Sequence, residues 1–207
     1  MMSLAKVILS EKELELINNT DWILTKNEVI RKVYLLFGEL SNQYRTIWNL
    51  HQVPALKALD FPSPKIAKGD QYEGLPWLML DYPRYFTKDN TLAIRSFFWW
   101  GNGCSITIQL SGIYHKKYAL AFQNYLSSLN EISQENNWLV GVGTDPWQHH
   151  FREDNYRRLD EMNGKSFIEL PFLKLTKKIP LDQWDDVPDF FENTYTEIIK
   201  ILSSVVD

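Results

Sequence analysis

At 207 residues, 44% hydrophobic and 23% charged, the chain has the make-up of a globular domain, which excludes a disordered or low-complexity polymer. A net charge of −4 gives no general pull toward nucleic acid or anionic lipid, and a single cysteine excludes an intrachain disulfide and a multi-cysteine zinc site. No stretch approaches the roughly 20 apolar residues of a membrane span, and the apolar run in MMSLAKVILSEKELEL is too short for a signal peptide, so a soluble cytoplasmic protein is expected, with neither nucleic acid nor membrane among its partners.

Two helices open the chain. Ser10 and Glu13 form a capping box with Leu9 and Leu14 as its staple, predicting a helix over residues 11–18 that Asn18 and Asn19 stop. The same grammar at Thr25 and Glu28, stapled by Leu24 and Val29, predicts a second helix over 26–48 with the apolar stripe Val29, Val33, Phe37, Leu40, Tyr44, Ile47. Prolines at 54, 62 and 64 make 51–74 a connector, with a short turn around Leu56 and an exposed loop, KIAKGDQYEG, over 65–74.

Residues 77–82 read as a strand that Pro83 ends. Residues 91–100 and 104–110 then form a hairpin around Gly101-Asn102-Gly103, whose glycines supply the positive φ angles of a tight turn. Loop length decides the faces, because a one-residue slip exchanges them. A two-residue loop sets Phe97 and Trp99 beside Ile106 and Ile108. A three-residue loop gives one apolar face and one carrying Arg95, Phe97, Trp99, Ser105, Thr107 and Gln109. We prefer the three-residue loop, because it gathers the apolar side chains into one core. The second face is then either covered by a helix or left as a platform for something flat.

A helix follows over 114–132, with Tyr114, Tyr118, Phe122, Tyr125 and Leu129 on its stripe, then a polar break at 134–137 and a fourth strand over 138–142. Gly143-Thr144-Asp145-Pro146 turns the chain, and a short helix over 154–163 ends at Gly164. Residues 167–175 read as a fifth strand, placed at an edge or bulged by Pro171. A last helix over 188–206 starts beside Asp185 and Asp186, which suit its positive end. The order predicts an α+β fold: a largely antiparallel sheet of about five strands, helices mainly on one face, two N-terminal helices and a C-terminal helix. All of it forms one domain, with a helical segment over 1–50, a connector over 51–74 and the sheet with its helices over 75–207.

Two groups of side chains are candidate sites. Arg95 sits mid-strand among apolar neighbours, where a guanidinium needs a carboxylate or an aromatic face; Asp81 is the obvious partner, and Phe97, Trp99, Thr107 and Gln109 share its surroundings. The stretch DPWQHHFREDNYRR supplies Asp145, His149, His150 and Arg152, in which an imidazole oriented by Asp145 could serve as acid or base. Adjacent histidines lack the i, i+4 spacing of a zinc pair, so no metal is expected. Gly141-Val142-Gly143 lacks the third glycine and the helix of a dinucleotide loop, and neither G-x-S-x-G nor G-x-x-x-x-G-K-[ST] occurs, so no cofactor is expected. Cys104, in line with Ile106 and Ile108, reads as a buried, inert thiol.

Residues 65–112, with GLPWLMLDYPR and IRSFFWWGN, resemble a family of uncharacterised bacterial proteins of about 200 residues. The resemblance implies no activity, cofactor or catalytic residue. Three functions remain open at this point. The first is a binding module that holds a small acidic or aromatic molecule, or a peptide, on the aromatic sheet face with Arg95 as anchor. The second is a hydrolase-like enzyme using a His/Asp acid-base site in 145–158. The third is a structural or oligomerisation protein whose long second helix serves a homodimer.

Overall fold

The structure is a computed structural model and describes residues 7–51, 53, 56, 61–132, 137–162, 164 and 166–205. Helix α1 spans Glu11–Asn18, and its capping box forms as expected: Ser10 Oγ accepts the Glu13 amide, and the Glu13 carboxylate accepts the Ser10 amide at 2.7 Å. Helix α2 spans Thr20–His51, six residues earlier than the expected start. Asn19 explains the difference. Its side chain accepts the Trp22 amide at 3.1 Å, so the asparagine that stops α1 also caps α2. Thr25 and Glu28 then lie inside a helix, and Glu28 pairs with Arg31 at 2.7 Å.

The sheet is antiparallel throughout, with seven strands in the order β1-β2-β3-β4-β7-β5-β6 among the described residues. They are β1 Lys65–Tyr72, β2 Leu75–Phe86, β3 Thr91–Trp99, β4 Gly103–Ser111, β5 Leu139–Gly141, β6 Tyr156–Arg158 and β7 Leu173–Ile179. Helix α3 spans Gly112–Ile132 and α4 spans Val187–Ser203.

Several expectations are corrected. The exposed loop over 65–74 is instead the edge strand β1: lysines and a glycine give it little strand propensity, and pairing with β2 makes it extended. Pro83 does not end β2. It falls in a bulge between Asp81 and Arg84, where the ladder needs no amide from it. The expected helix over 154–163 is β6 followed by a 3-10 turn, Leu159–Met162; Tyr156 is buried as β6 pairs with β5. The expected fifth strand over 167–175 begins only at Leu173, after a 3-10 turn at Phe167–Glu169. Pro171 therefore precedes β7, which lies between β4 and β5 rather than at an edge. The connector's turn is seen where the Leu56 amide donates to Val53 at 3.0 Å. Residues 54 and 134–136, read as part of the connector and of the polar break, lie outside the described residues, as does the expected end of the last helix at Val206.

The helices pack on one face. Leu78, Leu80, Leu92, Ile94, Phe98, Ile106, Ile108, Leu173 and Leu175 meet Val33, Phe37, Leu40 and Tyr44 of α2 and Phe191, Tyr195 and Ile198 of α4 in one core. Each such side chain taken from water contributes ~1.5–3 kcal/mol. Ser96, the polar residue in this face, shares a 2.8 Å hydrogen bond with the Tyr44 hydroxyl. The α2 stripe proposed as a homodimer surface is thus consumed inside its own chain. Among the described residues no helix is long and apolar enough to cross a membrane.

Candidate functional site

The hairpin has the three-residue loop: Trp99 pairs with Gly103 and Phe97 with Ser105, and Gly101 and Gly103 have φ of 72° and 132°. Arg95 consequently stands between Asp81 and Thr107 on the face away from the helices. Its Nε donates to Asp81 Oδ1 at 2.8 Å and its Nη2 to Oδ2 at 3.3 Å, a fork-on-fork pair with both side chains 12% exposed. The guanidinium carbon lies 5.2 Å from the Trp147 ring and 5.7 Å from the Phe86 ring. Nη1 is buried and has no hydrogen-bond partner among the described residues.

A loop over residues 142–155, not a helix, crosses this face. Its tether is Tyr72, at the end of β1. The Tyr72 hydroxyl accepts the amides of His149 at 2.7 Å and of His150 at 3.0 Å. Arg152 grips Glu73 at 2.6 Å and 3.0 Å. From beneath, Lys174 of β7 donates to the Gln148 carbonyl and to Asn155 Oδ1. Gly141 lets it through, since a Cβ there would stand 2.8 Å from the lysine's own. Burial pulls the Lys174 ammonium down to about 8; Asp145 opposes that shift and Arg95 adds to it. The His149 ring rests 4.9 Å from Phe97 and 5.7 Å from Tyr72. Burial holds its pKa down to about 3, reinforced by the charges of Arg95 and Lys174 and by the neighbouring His150.

Between β1, this face and the loop lies a cavity of about 640 Å³, lined by Arg95, Asp81, Phe97, Met79, Trp77, Tyr72, Trp147 and His149 among others. Gly69 shapes one wall. A Cβ at Gly69 would come within 2.7–2.9 Å of the Trp77 indole, so that indole lies against the bare β1 backbone.

The structure thus brings one histidine of the second candidate group over the first group, and separates the rest. Arg95, Phe97, Asp81 and His149 border the cavity. Trp99 is buried beside it, its indole nitrogen donating to the Tyr72 carbonyl at 3.3 Å. Thr107 and Gln109 are also buried, and Thr107 donates to Thr176 at 2.8 Å. His150 is buried with Nδ1 3.9 Å from Asp154. Arg152 is exposed on its bond to Glu73. Asp145 accepts from the Trp147 amide at 2.9 Å and from the Gln148 side chain at 3.0 Å, so its carboxylate orients a turn and not an imidazole. A base with a pKa near 3 is also a poor proton acceptor at neutral pH. Cys104 is buried, and its thiol is pushed up to about 12 by desolvation. Among the described residues no three His, Cys, Asp or Glu side chains converge as metal ligands.

Sequence reasoning missed Tyr72, Trp77, Met79 and Trp147. Tyr72 and Trp77 flank a turn between two strands, and that pairing is the available signal, masked in the sequence by the lysines and glycine of 65–74. No known protein family, curated protein or solved structure matches this chain.

Proposed function

We propose that the protein is a binding module for a small flat molecule carrying a carboxylate, held in the cavity beside Arg95. The observation that carries this reading is the guanidinium itself: Asp81 satisfies one edge, the Trp147 and Phe86 rings lie against it, and Nη1 is buried with no acceptor among the described residues. A buried donor without a partner costs about 1–3 kcal/mol, more when charged, and a ligand carboxylate would remove that cost. Charge favours an anion as well, since burial and then the Arg95 and Lys174 charges keep His149 neutral. The walls suit an aromatic body: Trp77, Met79 and Phe97 are apolar, and a volume of about 640 Å³ lies within the usual range of small-molecule sites.

Trp77 and Trp147 line the cavity, so tryptophan fluorescence reads its occupancy. Benzoate and 1-naphthoate are expected to quench it saturably, and neutral benzamide to do so far more weakly. The paired variant Arg95→Gln with Asp81→Asn removes both charges, isosterically at Asp81 and with a shorter polar side chain at Arg95. It should retain the wild-type far-UV circular dichroism and lose at least tenfold in naphthoate affinity. Equal affinity of the folded paired variant and the wild type would refute the role of Arg95.

A further inference from the structure

Every residue from Val7 to Thr25 is exposed, and α1 buries none of its side chains. This arm is nevertheless rich in large apolar groups: Ile17 is 69% exposed, Trp22 52% and Leu24 62%, with Leu14 and Ile23 beside them. An eight-residue helix has little stability in water by itself, and apolar surface gathered in one arm marks an interaction site. At the foot of the arm lies a groove of about 520 Å³, lined by Val29, Phe98, Trp100, Leu181 and Trp184, with Lys32 at its edge.

We infer that the protein forms a two-fold dimer in which α1 of each copy occupies this groove of the other. Arm and groove adjoin the same end of α2, so one surface carries both halves of the contact. That is the requirement of an isologous interface, in which each subunit gives and receives the same element. The arm cannot serve its own groove in the observed state. α2 is continuous from Thr20 past Val29 and Lys32, which holds α1 beyond the groove's reach. The charges match too. α1 carries Glu11, Glu13 and Glu15 against a single Lys12. Lys32 is 65% exposed, with its nearest carboxylate, Glu28, only at 3.9 Å.

Light scattering after size exclusion, on the full chain over a hundredfold range of concentration, tests this. The wild type is expected to run as a dimer. Leu14→Glu, at an exposed position that the fold does not use, is expected to give a monomer with unchanged helicity. Glu11→Lys and Lys32→Glu are each expected to weaken the dimer about tenfold, and together to restore it. A wild type that stays monomeric throughout overturns the inference and leaves the arm to a different protein. A dimer that survives Leu14→Glu, or a charge exchange that fails to restore association, overturns it as well.

Discussion

Arg95 and His149 show how a residue's neighbours set its chemistry. Arg95 is accommodated inside the fold because Asp81 meets it edge to edge at 2.8 Å and 3.3 Å, while the Trp147 and Phe86 rings lie against it. His149, near that charge and largely out of water, is held neutral with a pKa of about 3 against 6.5 for a free imidazole. The pH dependence follows in sign. Between pH 6.5 and 3 the unfolded chain binds a proton at His149 that the folded chain refuses, so this residue lowers stability as pH falls through that window. His149→Leu should therefore lose less stability than the wild type between pH 7 and pH 4.5, by on the order of 2 kcal/mol in urea unfolding. Parallel losses in the two proteins would mean that the imidazole takes up its proton in the folded state.

Among the elements, β1 and the 142–155 loop depend on one another. β1 is an edge strand of modest apolar content, and the loop has little regular structure, yet Tyr72 and Glu73 at the end of the one tie down His149, His150 and Arg152 of the other. Tyr72→Phe keeps the ring against Phe97 and Trp99 and removes the acceptor of two amides. The expected result is faster hydrogen exchange at the amides of His149 and His150, with a loss of about 1–3 kcal/mol in stability. Unchanged exchange at both amides would show that the loop is held by Lys174 and Arg152 instead. The contrast in legibility between elements is physical. The hairpin of β3 and β4 was readable because its turn is local and its alternation is strong. β1 was not, because Lys65, Lys68 and Gly69 are poor strand formers that become extended only against β2. The strand β6 differs from the helix its sequence predicts for a related reason: three residues carry no period, and Tyr156 is fixed by β5 and Lys174.

At the scale of the molecule, helices and sheet join through Tyr44. Its ring stacks on Tyr195 at 3.8 Å and an interplanar angle of 4°, so α2 and α4 meet there, and its hydroxyl reaches Ser96 in the middle of β3. Tyr44→Phe should cost about 1–2 kcal/mol, leaving the buried Ser96 hydroxyl without its partner. Tyr44→Ala should cost about 3–5 kcal/mol, since it also opens a cavity. Urea unfolding measures both. Equal losses for the two variants would assign the whole effect to the hydrogen bond and none to the stack.

Local patterns alone pointed to the α+β class, the capping box of α1, the apolar stripe of α2, the hairpin turn at Gly101-Asn102-Gly103 and the buried state of Cys104. All of these depend on neighbours a few residues apart or on one face of one element. The sheet order, the central place of β7, the strand character of β1 and the descent of His149 onto Phe97 were decided only by the tertiary structure. They join residues far apart in the chain, and nothing in the spacing of side chains along either segment records which distant surface will cover it.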